Sequence, residues 1–170
     1  MSNNIAGPDV YANDLSVGDT WDLGTYLISQ DEVIDFASHW DPQYFHIDPE
    51  RAATESPFGG VIASGVQTLA IFIRLWVTSR IGRWHVIAGA GIDQLRFLRP
   101  TRPGDLLTGR SVVETIRFQP EKERALITYR GMLSNQNDEP VITLTMSVFL
   151  RSHPAPAAGP HETIIGSLPS

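Results

Sequence analysis

At 170 residues, with 42% hydrophobic content, the chain has apolar material for one sizeable core, and two full domains would be cramped. The absence of cysteine excludes disulfides, thiolate catalysis and cysteine-ligated zinc. A net charge of −6 argues against a nucleic-acid partner, and no apolar run is long enough for a membrane span.

The N-terminus, MSNNIAGPDV, lacks a basic segment followed by an apolar one, so no secretory leader is expected and a cytoplasmic location is the simplest expectation. Residues to about Asp14 are polar and unpatterned. TWDLGTYLIS, residues 20–29, then reads as a strand rich in Thr, Trp, Tyr and Leu. Ser29 three residues before Glu32 forms a capping box, and Val33, Phe36, Ala37 and Trp40 fall on one helical stripe. That helix is expected to end at Trp40 or Asp41, because Pro42 disfavours helical geometry in the residue before it. His46 then falls in the loop that follows. Asp48-Pro49-Glu50 begins a second helix, with Asp as N-cap and Pro in the first turn.

After the turn chemistry of SPFGG, the stretch from Val61 to Gly82 predicts a third helix running to about Arg80. Val66, Leu69, Ala70, Ile73, Trp76 and Val77 keep helical spacing, while Ile71, Phe72 and Leu75 make other faces apolar. The spacing therefore predicts a helix buried on most sides. From Trp84 onward the period becomes that of strands, over residues 84–100, 105–119, 124–135 and 140–152. The breaks PEKE and QNDEP suit antiparallel connections. The last nineteen residues carry four prolines and predict a loosely packed tail. One strand, two or three helices and four long strands make an α+β layout, a sheet wrapped around a mostly buried helix.

Charge is unevenly distributed. Residues 1–60 hold eleven acids against the single base Arg51, whereas residues 74–110 hold seven arginines against Asp93 and Asp105. An arginine-rich stretch suits bidentate contacts to a phosphorylated small molecule, and equally suits a solvated basic face.

Within HWDPQYFHID, residues 39–48, two histidines and two aspartates crowd around a proline. His39, Asp41 and His46 form a two-histidine, one-carboxylate set of the kind that holds non-haem iron, but ligands crowded at one helix end would need a very tight loop, so no metal is expected. Alternatively, Asp41 and His46, five residues apart across a helix end, converge on one water in opposite roles, with imidazole titrating near neutrality. In the plainest reading Asp41 caps backbone amides and His46 is a partly buried surface residue. Gly65 stands where the third helix begins, and the outward N–H groups there favour an anion or an oxygen gaining charge.

These residues resemble the MaoC-like dehydratases, a family that includes the (R)-specific enoyl-CoA hydratases of the hotdog fold. The family pattern is roughly D-x-N-P-x-H followed later by a small-Gly motif opening a central helix; here it reads DPQYFHID and then FGGVIASG. Asp41 matches the motif aspartate, His46 the histidine at the same spacing, and Gly65 the glycine whose amide binds a thioester carbonyl. Gln43 stands where Asn is usual and Tyr44 where the proline is, with a proline displaced to Pro42. LRFLRPTRPGDLL resembles the stretch that follows the central helix.

The resemblance implies a hotdog domain over residues 15–151, between a polar segment, 1–14, and a Pro-rich tail, 152–170. It implies a homodimer or a dimer of dimers, and reversible hydration of a trans-2-enoyl thioester to a (3R)-3-hydroxyacyl thioester. His46 would be the base, Asp41 the proton donor toward C2, and Gly65 the carbonyl ligand. Gln43 and Ser64 would contact the substrate, with Arg96, Arg99 or Arg102 on the carrier's phosphates. Acyl-CoA is then substrate, and no cofactor, nucleic acid or membrane is called for. A hotdog thioesterase or a non-catalytic acyl-CoA-binding protein would share the fold. Thioesterases of this fold generally use a lone carboxylate on or near the central helix, and residues 65–80 contain no Asp or Glu.

Overall fold

Ser29 accepts a hydrogen bond from Glu32 N, while the Glu32 carboxylate accepts from Ser29 N at 2.9 Å, so two orphan amides of the first helix are satisfied reciprocally. The computed structural model in which this cap is seen describes residues 9–79 and 84–153. Arg80, where the third helix was expected to end, and nearly all of the tail expected from 152 lie outside the described residues, as do residues 1–8.

In chain order the elements are β1 (Thr20–Leu27), α1 (Gln30–Trp40), α2 (Tyr44–Ile47), α3 (Pro49–Glu55), α4 (Gly65–Thr78), β2 (Val86–Phe97), β3 (Leu106–Gln119), β4 (Arg124–Ser134) and β5 (Pro140–Arg151). Ala12–Asp14 forms a short 3-10 turn within the opening stretch that read as unpatterned. The strands form one sheet in the order β1-β3-β4-β5-β2, antiparallel throughout. With short turns, β3, β4 and β5 make a meander, whereas β2 crosses to the far edge and pairs with β5. The α+β hotdog arrangement expected from the resemblance is the one observed: a single antiparallel sheet packed around α4.

Alternation along the strands supplies the inner face. Leu107 and Val113 of β3, Ile127 and Leu133 of β4, and Ile142, Leu144 and Leu150 of β5 are all buried against the helix. Close approach needs small residues opposite large ones. A Cβ placed on Gly131 of β4 would collide with the ring of Phe72, which is fully buried at the centre of α4. One turn further along α4, Trp76 stacks on Tyr129 with centroids 5.3 Å apart. The Tyr129 hydroxyl is buried without a hydrogen-bond partner, and burial pushes its pKa upward, so it stays neutral.

Two helix faces differ from the sequence reading. Gln67, Thr68, Ile71, Phe72, Leu75 and Trp76 form the buried side of α4, while Val66, Ile73 and Val77 remain exposed, so the helix is buried on one side only. Trp40, the last residue of α1, completes its helical stripe but is 75% exposed. Among the described residues no helix is long and apolar enough to cross a membrane.

Candidate active site

Pro42 ends α1 as its geometry requires, leaving Asp41 as the C-cap. His46, expected in a loop, lies instead in the single helical turn α2, and it is buried, with 4% of its surface exposed. The turn is held from outside: Ile62 N donates to Phe45 O at 3.1 Å, and Phe45 packs against Phe58. The segment leading into α4 is fixed in turn by Ala63 N donating to Thr101 O at 2.8 Å.

His46 Nδ1 lies 2.7 Å from the Ile62 carbonyl oxygen. A carbonyl only accepts, so Nδ1 carries a proton and donates it, which leaves Nε2 as the ring atom free to take or give one. Nε2 sits 3.3 Å from Asp41 Oδ2. Asp41 also accepts from Gln43 Nε2 at 2.9 Å on Oδ1 and from Ser64 Oγ at 2.7 Å on Oδ2. The hydrogen bonds from Gln43 and then Ser64, helped by nearby His46 and opposed by partial burial, hold the Asp41 carboxyl below the usual aspartate range. Its oxygens therefore receive side-chain donors and cap no backbone amide, contrary to the plainest sequence reading.

Ser64 is the N-cap of α4, accepting from Val66 N at 3.2 Å, and Gly65 is the first helical residue. As a first-turn amide, Gly65 N–H has no acceptor within the helix. A Cβ on Gly65 would lie 2.7 Å from the tip of the Phe97 ring, so glycine is what allows that ring to close over the head of the helix. Asp41, His46, Ser64, Gly65 and Phe97 share the wall of one cleft of about 480 Å³. A depression of about 500 Å³ on the outer sheet face, between Arg110 and Arg130, has Asp22 as its sole acid and no histidine. The chemistry therefore concentrates in the first.

The other expected contacts divide. Gln43 and Ser64, read as substrate ligands, line the cleft, and each donates one hydrogen bond to Asp41. Arg99 lines the cleft and pairs with Glu139 at 3.4 Å. Arg96 and Arg102 are absent from the cleft wall; their guanidinium groups meet the carbonyls of Leu95 and Phe58. His39 is exposed and lies 2.8 Å from its own helix's Asp35 carbonyl, apart from the other two members of the iron-type set. Among the described residues no group of three or more His, Asp or Glu is placed to hold a metal. Phe97, Thr101 and the Ile62 carbonyl had no signal in the sequence, since each reaches the site through tertiary structure alone.

Comparison with known proteins agrees with this fold. A model of the MaoC-like domain matches residues 14–130. YdeM of Bacillus subtilis, an uncharacterized protein, is 32% identical over 82% of this chain and 97% of its own length. The crystal structure of a MaoC-like dehydratase from Rhodospirillum rubrum superposes with a TM-score of 0.76 at 37% identity, covering 86% of this chain and 99% of that one. The 3-hydroxyacyl-thioester dehydratase Z of Mycobacterium tuberculosis is 40% identical over 45% of this chain and 52% of its own.

Proposed function

The chain belongs to the MaoC-like domain family, and on that premise we propose that it is a hydro-lyase adding water reversibly across the 2,3 double bond of a trans-2-enoyl-CoA, giving a (3R)-3-hydroxyacyl thioester. The observation that carries this reading is the 3.3 Å approach of His46 Nε2 to Asp41 Oδ2 beside the Gly65 amide. The name of the Mycobacterium tuberculosis relative supports the same reaction in the reverse direction.

A water bound between Nε2 and Oδ2 has its proton aimed at the imidazole and its oxygen lone pair aimed into the cleft. As that oxygen bonds to C3, His46 Nε2 takes the proton, and the electron pair of the double bond moves through C2 onto the thioester oxygen. The Gly65 N–H and the positive end of α4 favour the charge that develops there. Asp41 accepts the proton from His46 across the short gap and gives it to C2, so that the elements of one water are added. Its low carboxyl pKa makes the protonated form brief and a strong acid toward a carbanion-like carbon. The thioester itself acidifies C2, so the step needs no cofactor.

Crotonyl-CoA and longer trans-2-enoyl-CoAs test this directly. Loss of the enoyl ultraviolet band with no free thiol is the expected result. Thiol release would instead make the protein a thioesterase, and tight binding without either signal would make it an acyl-CoA carrier.

The same reading includes a homodimer formed along β2. That strand is a twelve-residue edge, nearly all exposed, and it carries the exposed apolar residues Val86, Ile87, Ile92 and Phe97. Pairing two copies there would cover both, and any phosphate contact by Arg96 or Arg102 would then be made in the dimer. Sedimentation is expected to give the mass of a dimer or a dimer of dimers; a monomer at micromolar concentration would overturn this part.

A further inference from the structure

Ser64 lines the cleft yet leaves no surface open to solvent, and its hydroxyl is engaged both as donor and as acceptor. It donates to Asp41 Oδ2 at 2.7 Å and accepts from Val66 N at 3.2 Å. One side chain therefore joins the carboxylate, 23 residues earlier in the chain, to the first turn of α4, where Gly65 stands.

We propose that Ser64 is a positioning residue, whose hydroxyl fixes the Asp41 carboxylate in register with the head of α4 so that the proton-handling pair and the Gly65 amide act on one substrate. This rests on the hydration reading for its kinetic consequence, though not for its physical one. Asp41 Oδ2 serves two neighbours, and the two differ in what they demand. His46 Nε2 approaches at 3.3 Å and exchanges its proton during the reaction, whereas the Ser64 O–H approaches at 2.7 Å and does not. A permanent donor on that oxygen holds its direction while the histidine changes charge. Gln43 does the same for Oδ1 at 2.9 Å, but from the same loop as Asp41, so it cannot set the carboxylate relative to α4. Ser64 alone among the three donors belongs to the element that presents the Gly65 amide. Thr68 Oγ1 reinforces the position by donating to the Ser64 carbonyl at 3.2 Å, which keeps the cap residue from drifting along the helix axis.

Loss of the hydroxyl has a defined sign. The Asp41 carboxyl is depressed by hydrogen bonds from Gln43 and Ser64, so removing the second lets its pKa rise toward the ordinary aspartate value. The acid limb of the rate then moves to higher pH.

The test uses Ser64→Ala, Ser64→Gly and Ser64→Thr in the full chain. Glycine is a good N-cap and alanine a poor one, whereas threonine keeps the hydroxyl, so capping and positioning separate. Carbon-13 NMR of labelled aspartate, with Asp41 assigned by Asp41→Asn, should show its titration midpoint raised in both hydroxyl-free variants and restored in Ser64→Thr. The kcat for enoyl-CoA hydration should fall on the order of ten- to a hundredfold in both, with little change in KM. Ser64→Ala added to Asp41→Asn should cost nothing further, because the hydroxyl acts through the carboxylate. An unchanged Asp41 midpoint in folded Ser64→Gly, or a raised KM with kcat intact, would overturn the proposal. If the wild-type chain hydrates no enoyl thioester, the hydration reading fails on that result, and the titration still decides the role of Ser64.

Discussion

Asp41→Asn and His46→Ala are each expected to lower enoyl-CoA hydration by about 10²–10⁴-fold, the usual range for a positioned proton-transfer group. The two replacements fail for different reasons. An amide at position 41 keeps the shape but turns one of the two acceptors into a donor. It would then confront either the Gln43 amide or the Ser64 hydroxyl, both of which donate to the carboxylate in the native chain. Proton acceptance from His46 is lost in either orientation. An alanine at 46 removes the group that takes the water's proton and also strips the Ile62 carbonyl of its donor. Leaving that buried acceptor unpaired costs about 1–3 kcal/mol, so His46→Ala should melt lower than Asp41→Asn, whose mismatched amide is partly exposed and open to water. The double variant should be no slower than the worse single one, because a pair that hands one proton between its members works as a unit. Native turnover in both single variants would sink the assignment and leave the pair as a buried polar cluster.

Phe72→Ala is expected to destabilise the fold by about 3–5 kcal/mol, the cost of removing a fully buried aromatic side chain from a core that collapses only in part. Phe72 lies at the centre of α4 with no exposed surface, against Gly131 of β4. That glycine is the complementary test. A methyl group there would meet the same ring, and overpacking of this kind costs about 1–3 kcal/mol. In the Phe72→Ala background the added methyl has room, so Gly131→Ala should become nearly neutral or favourable, a coupling of opposite sign to the single effects. Denaturant titration of the four proteins measures it. Additive effects would mean that the helix and sheet do not press on each other at this point.

Much of this architecture was legible in the chain because its signals are local. The Ser29/Glu32 cap, the Asp48-Pro49 helix start, the stop at Pro42 and the boundaries of the four later strands each depend on residues within a few positions of one another, where sterics and short hydrogen bonds decide the outcome. The spacing of Asp41 and His46 is local in the same sense, and it identified the pair before any contact was known. The resemblance to the MaoC-like family rested on that spacing and on the glycine opening the central helix, and the family was right.

Tertiary structure alone decided the rest. Apolar residues occur on several faces of α4, so composition could not say that Gln67 and Thr68 would be buried while Val66 and Val77 stayed exposed; the sheet's curvature chose the side. The tautomer of His46 is set by a backbone carbonyl sixteen residues away, and every residue has such a carbonyl, so nothing in the name Ile62 announces it. That Ser64 and Gln43 each donate to Asp41 was likewise decided by packing, which brings Ser64 to a carboxylate 23 residues earlier in the chain. The sequence by itself determined the main elements and the spacing of Asp41 and His46; the direction in which each of those groups points was fixed only when distant backbone segments closed around them.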